Sequence, residues 1–212
     1  MKVPFVDLRA MHDEVRAEFN TVFNDILDKS SFVGGPYVTN FEDNFASYCG
    51  TKHAVVCNSG TDAVKLALSA AGVRSGDGVI VPANTFIASV EGITMLGAFP
   101  VFVDIDAMTY HLSVKHLSDY LENECRLGLD GHLVDGRTGA SLTAILPVHL
   151  FGMVADMAPL IELAKNYNLT IVEDAAQAHG ASYNMSGNVL RAGSFGLTAA
   201  FSNYGKSEVD VF

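Results

Sequence analysis

Two charged residues at the ends of apolar stretches are the first candidates for chemistry in this chain. Asp174 closes Leu169-Thr170-Ile171-Val172-Glu173-Asp174, and Lys206 follows Ala199-Ala200-Phe201-Ser202. Both stretches read as buried strands with a charged residue near the carboxyl end, the edge at which α/β sheets bind ligands. A carboxylate and a lysine drawn out of water are costly unless a ligand or partner uses them. One chemistry uses both. In pyridoxal phosphate (PLP) catalysis the lysine bonds the cofactor aldehyde and a carboxylate pairs with the pyridinium nitrogen. The competing reading is two unrelated charges at strand ends, and taken alone the pair favours it.

Other segments bear on the choice. Asn58-Ser59-Gly60-Thr61 sits between a strand and a helix. Its backbone N–H groups and hydroxyls would gather at a helix N-terminus, where anions bind. An ordinary N-cap by Ser59 or Thr61, with Asp62 complementing the helix dipole, is the plainer reading. Pro82-Ala83-Asn84-Thr85-Phe86 repeats the strand-turn-helix plan. Phe86 is there either to stack on a planar cofactor or to fill the core, as phenylalanines usually do. His149, in Pro147-Val148-His149-Leu150-Phe151-Gly152, is equally a ligand contact or a hydrogen-bonded structural histidine. Glu173-Asp174-Ala175-Ala176-Gln177-Ala178-His179-Gly180 is more specific: the alanines permit close approach of backbone, and Gln177 can point back towards the site of Asp174.

These residues need a scaffold, and periodicity supplies one. Val6, Leu8, Met11, Val15, Phe19, Val22, Phe23 and Ile26 predict an amphipathic helix over 7–28, broken by Phe32-Val33-Gly34-Gly35-Pro36. Val38, Phe41, Phe45 and Tyr48 mark a second helix ended by Gly50. Strands are then expected at 54–57, 79–81, 101–103, 143–146, 169–173 and 199–202. Helices are expected at 61–71, 86–96, 114–121 and 157–167. Apolar strands alternating with amphipathic helices predict an α/β fold, a mostly parallel sheet covered on both faces. The Gly- and Asp-rich segment 125–141 reads as a surface loop, and 185–193 as a loop or short hairpin. No repeat and no linker is evident.

Composition narrows the function classes. The chain has 212 residues, 49% hydrophobic and 17% charged, with mean hydropathy +0.25. The most apolar stretch, 142–163, is broken by Pro147, His149, Gly152 and Asp156, so no run approaches the ~18 apolar residues of a membrane span. The excess apolar surface is expected to be covered by a second subunit or by a further part of the protein. A net charge of −11 and no basic run argue against nucleic-acid binding. The N-terminus lacks the apolar core of a signal peptide, and Cys49, Cys57 and Cys125 form neither a CxxC nor an even framework. A cytoplasmic protein with reduced cysteines and no metal site is the expectation.

The segments taken together resemble the DegT/DnrJ/StrS family of sugar aminotransferases, PLP enzymes of fold type I. The matching stretches are 3–8, Cys57-Asn58-Ser59-Gly60-Thr61-Asp62-Ala63, 82–88, 100–104, 147–152, 173–180 and Gly193-Ser194-Phe195-Gly196, in family order over nearly the whole chain. The resemblance implies the large, cofactor-binding domain of that fold: an N-terminal helical segment over 1–30, a cofactor-binding core over 50–206 and an atypical tail over 207–212. It also implies roles. Gly60 and Thr61 hold the cofactor phosphate, with a hydroxyl added by Ser202. Phe86 stacks on the pyridine ring, Asp174 pairs with the ring nitrogen, and Gln177 lies near the phenolic oxygen. Lys206 bonds the cofactor and then shuttles protons. A dehydratase subgroup has histidine at that position, so lysine favours transamination. The implied substrates are a nucleotide-linked keto-sugar and an amino-acid donor such as glutamate, and the implied full-length assembly is a homodimer.

The family pattern Phe-Ser-Phe-Tyr-Pro-x-Lys-Asn-Leu-Gly is met here by Phe201-Ser202-Asn203-Tyr204-Gly205-Lys206-Ser207-Glu208. One residue is missing before the lysine, and Asn-Leu-Gly is absent after it. Reactive geometry tolerates little displacement. With the family's C-terminal small domain also absent, a truncated chain is the expectation. The alternative to an aminotransferase is an inactive relic that retains part of the PLP-binding fold.

Overall fold

The computed structural model describes residues 8–128, 131–202 and 210–211. They form two units, 1–41 and 42–212, whose division falls inside a helix rather than at a linker.

In the first unit, α1 (Leu8–Lys29) is braced by i,i+3 and i,i+4 ion pairs, Arg16 with Asp13 and Lys29 with Asp25. Exposed pairs of this kind are screened by solvent and contribute little beyond local helix support. Its apolar stripe of Val15, Phe19, Phe23 and Leu27 is exposed, and the rings of Phe19 and Phe23 stack at 6.1 Å. α2 (Pro36–Cys49) begins with proline at its first turn, where a missing N–H costs nothing. Gly50 follows it at φ 78°.

The second unit is built on one sheet. In chain order come β1 (Val56–Cys57), α3 (Gly60–Ala70), β2 (Asp77–Pro82), α4 (Ile87–Thr94), β3 (Phe99–Val103), α5 (Val114–Asn123), β4 (Cys125–Leu127), β5 (Leu133–Asp135), β6 (Ser141–Ile145), α6 (Met157–Asn166), β7 (Thr170–Asp174), β8 (Ser182–Met185), β9 (Asn188–Arg191), β10 (Thr198–Ser202) and β11 (Asp210–Val211). The sheet runs β1-β11-β10-β7-β6-β2-β3. β10, β7, β6, β2 and β3 are mutually parallel, and β11 is antiparallel to both neighbours.

Strand alternation sends side chains to a core on each face of the central strands, and a third, smaller cluster gathers Ala199 and Phe201 of β10 with Ala175, Ala178 and Ala192. On one face Ile80, Val101, Leu142 and Ile171 meet Leu117 and Leu121 of α5 and Met157 and Leu160 of α6. On the other, Val79, Val81, Ala144, Val172 and Ala200 meet Ala63, Val64, Ala67 and Leu68 of α3 and Ile93 of α4. α3 and α4 pack tightly enough that a Cβ on Gly92 would lie 2.6 Å from Val64 Cγ1. Cutting a fully buried leucine such as Leu68 to alanine would cost roughly 2–5 kcal/mol.

The strand and helix positions follow the periodicity with two differences. Segment 125–141 is not a surface loop throughout. β4 and β5 pair antiparallel there, and β5 joins β6 through Val134 and Ser141. Three-residue strands are too short to show a period. What holds this one is tertiary: Leu133 enters the core and Asp135 is buried, accepting from Tyr120 Oη at 2.7 Å and from Thr138. The first strand covers only Val56–Cys57 rather than 54–57, the two residues paired with β11. Segment 185–193 supplies one arm of the β8–β9 hairpin.

Candidate functional site

The sheet register brings the candidate residues to one edge. Ala200 on β10 lies opposite Asp174 on β7, so Ser202 ends the neighbouring strand just beyond it. Ser202 and Cys57 share the partner Asp210, so β1 and β10 end level with one another, and Asn58 to Thr61 leave the sheet at the same edge. β2 is parallel to this set and releases Ala83 to Phe86 there as well. Gly60, Thr61, Phe86, Asp174 and Ser202 thus gather where parallel strands finish, which is the ligand edge of an open α/β sheet.

Asp174 is 5% exposed at the end of β7. Its backbone is clamped by N–H to Pro147 O and by C=O from His149 N–H, both 2.9 Å. Ser89 Oγ donates to Oδ2 at 2.6 Å and Ala176 N–H donates to Oδ1 at 3.2 Å. Thr85 Oγ1 lies 2.7 Å from Ser89 Oγ. Burial pushes the carboxyl's pKa above its ordinary value, and the Ser89 and Ala176 hydrogen bonds pull it part of the way back. Among the described residues no lysine or arginine pairs with it.

Phe86 is the N-cap of α4 and is 61% exposed. It makes no side-chain cap and fills no core, so it breaks both local rules for its position at the site edge. That removes the core reading. At α3, Ser59 is the cap: its Oγ accepts from Asp62 N–H at 3.1 Å and lies 3.2 Å from Asp62 Oδ2. The cap satisfies one donor, while the N–H groups of Gly60 and Thr61 have no acceptor within the helix itself. The cap therefore does not preclude an anion at the same helix end.

Gln177 is exposed, and its Oε1 accepts from Phe151 N–H at 3.0 Å. Phe151 stands at φ 58°, an uncommon backbone for a non-glycine residue. Lys206 lies outside the described residues, and Ser202, half-buried, is the last described residue before it.

His149 resolves to the structural role. Ala155 N–H donates to its Nδ1 at 3.2 Å, so the proton is on Nε2, which donates to Glu173 Oε2 at 2.9 Å; both side chains are fully buried. Glu173 also accepts from the N–H groups of Gly193, Phe195 and Gly196, each at 2.7 Å. Gly193 is at φ 89°, and a Cβ there would lie 2.5 Å from the Phe201 ring. Sequence reasoning missed Glu173, Thr85 and Ser89. The hydroxyls four apart at the start of α4 were the available signal.

Among the described residues, a helix N-terminus with N–H groups free of intrahelical acceptors suits a phosphate, an exposed aromatic cap suits a planar ring, and a buried carboxylate with no paired cation suits a protonated ring nitrogen. The residues present therefore fit a phosphorylated pyridine cofactor. The fold is that of the aminotransferases: the structure of DesV from S. venezuelae, in complex with a ketimine intermediate, matches with TM-score 0.84 and 39% identity over 99% of this chain and 53% of that one. NtdA from Bacillus subtilis with bound cofactor PMP matches with TM-score 0.79 and 28% identity over 99% and 44%. The chain belongs to the DegT/DnrJ/EryC1/StrS aminotransferase family, whose model matches residues 13–210.

Among characterised relatives, the dTDP-3-amino-3,4,6-trideoxy-alpha-D-glucose transaminase of Streptomyces venezuelae is 43% identical over 100% of this chain and 50% of its own length. The GDP-perosamine synthase of Caulobacter vibrioides is 43% identical over 81% and 40%. The chain thus spans about half the length of the curated relatives it matches.

Proposed function

We propose that this chain carries the PLP-binding part of a sugar aminotransferase that moves an amino group from an amino acid such as glutamate to a nucleotide-linked keto-sugar. The observation that carries the reading is Asp174: a buried carboxylate at the C-terminal edge of a parallel strand, supplied with donors but with no cation among the described residues. Such a group is unfavourable for folding and useful to a cationic ring.

When bound, PLP supplies an electron sink and carries the amino group between donor and acceptor. Asp174 would hold the proton on the ring nitrogen. Phe86 would cover one ring face and exclude water from it. Gly60 and Thr61 would bind the phosphate through α3, with a hydroxyl from Ser202, and Gln177 would donate its amide towards the phenolic oxygen. Lys206 would bond the cofactor and carry protons. Relatives named for dTDP-, GDP- and UDP-linked sugars support the substrate class. In the full-length form a second copy is the proposed partner, and the exposed stripe of α1 is consistent with further covering surface.

The test is addition of PLP to purified protein, followed by borohydride and peptide mass spectrometry. A visible absorbance band and a pyridoxyl label on Lys206 are expected; a label on another lysine, or none, overturns the assignment. An amino-donor half-reaction then separates an enzyme from a chain that binds PLP without turnover. The missing residue between Ser202 and Lys206 favours the latter for these 212 residues.

A further inference from the structure

We propose that Ser89, backed by Thr85, is the positioning residue of the cofactor site: the two hydroxyls hold the Asp174 carboxylate in its ionised form and lock it to the helix turn that carries Phe86. The inference rests on the PLP reading of the site.

Direction follows from proton counting. A carboxylate only accepts, so Ser89 commits its single hydroxyl proton to Asp174 Oδ2 at 2.6 Å. The contact of 2.7 Å between Ser89 Oγ and Thr85 Oγ1 must then be donated by Thr85. The relay runs Thr85 to Ser89 to Asp174 and joins residues 85 apart in sequence. Ser89 is 2% exposed, so water does not substitute for it. Its own N–H donates to Phe86 O at 3.2 Å, which ties the relay to the cap of α4. The carboxylate for the ring nitrogen and the aromatic for the ring face therefore belong to one hydrogen-bonded unit rather than two independent segments.

The relay also decides protonation. A buried carboxyl group tends towards its neutral form, and a neutral acid cannot pair with a ring cation. Hydrogen bonds to an ionised acceptor favour the ionised form. The titratable groups near Asp174 are His149, whose ring proton is committed to Glu173, and Glu173 itself, which points to the opposite face of β7; Lys206 lies outside the described residues. Neither described neighbour donates to the Asp174 carboxylate. Among the described residues Ser89 is the side chain that does.

The experiment follows the Asp174 carboxyl by ¹³C NMR in the cofactor-free 212-residue protein, with Asp174→Asn used to assign the resonance. Ser89→Ala is expected to raise the Asp174 midpoint by about 1–2 pH units, the equivalent of one charge-assisted hydrogen bond. Thr85→Val, which weakens the relay one step back, should raise it by less, and Ser89→Thr should restore it. A midpoint unmoved by both Ser89→Ala and Thr85→Val overturns the proposal. If Ser89→Ala does not fold, Thr85→Val alone decides. PLP binding to the parent protein is scored separately. A relay effect without PLP binding removes the functional reading and leaves the relay; PLP binding without the effect does the reverse.

Discussion

Glu173 and Asp174 are consecutive on β7, face opposite sides of the sheet and are provided for unequally. Glu173 receives four donors, from His149, Gly193, Phe195 and Gly196, and is fully buried. Among the described residues Asp174 receives two, from Ser89 and Ala176. Four donors saturate a carboxylate and leave nothing for a ligand. Two leave capacity at the sheet edge. One residue closes the structure and the next is open to chemistry.

Glu173→Ala should therefore be the most destabilising single change at this edge. It strands three backbone N–H groups and the His149 ring in the interior. Breaking a buried charged arrangement from one side costs about 3–5 kcal/mol. Urea denaturation should show that loss, and a variant within about 1 kcal/mol of the parent would mean the turn at 193–196 is held by other contacts.

Asp174→Asn should act in the opposite direction on the cofactor-free protein. Its folded pKa is raised, by burial first. A raised acid contributes stability that is fully present below its unfolded pKa, near 3.8, and is lost as pH rises through the folded value. At neutral pH the ionised, buried side chain is thus a liability that asparagine removes. Tm measured against pH should show the variant matching or exceeding the parent at pH 7, with the difference shrinking or reversing in acid. The same variant should lose most of its amino-donor half-reaction in any PLP-loaded form that turns over.

Phe86→Ala separates binding from folding. The ring is 61% exposed and packs in no core, so stability should change by no more than about 0.5 kcal/mol. If the ring stacks on the cofactor, its loss should weaken PLP about two- to tenfold, the equivalent of roughly 0.5–1.5 kcal/mol. Equilibrium titration by absorbance, paired with thermal unfolding, gives both numbers. A large fall in Tm with unchanged affinity would return Phe86 to a packing role.

Ser59→Ala tests the other end of the site. Removing the α3 cap should cost about 1 kcal/mol, and Ser59→Gly less. If Gly60 and Thr61 bind the cofactor phosphate, both should also weaken PLP, since α3 must keep its first turn intact to present them. Guanidinium melts and PLP titration on the two variants check this, with equal losses in both melts counting against the cap.

Much of this molecule was readable from local pattern. The alternation of apolar strands with amphipathic helices foretold a parallel sheet with two covered faces, because side-chain period is a backbone property that needs no distant partner. Asp174 at a strand end, Ser59 before a helix and Phe86 at a strand-turn-helix junction were visible for the same reason. What the sequence left open depended on residues far apart along the chain. Whether His149 served a ligand or the fold was decided by Glu173, 24 positions away. Whether Phe86 was core or edge was decided by the sheet order. β4 and β5 exist because Tyr120 and Thr138 satisfy a buried Asp135, not because three residues can display a period. Ser89 was joined to Asp174 only when α4 met β7. Local periodicity determines which face a side chain is on; only the packed chain determines which donor meets which acceptor, since burial makes every unpaired polar group costly and tertiary contact selects its partner.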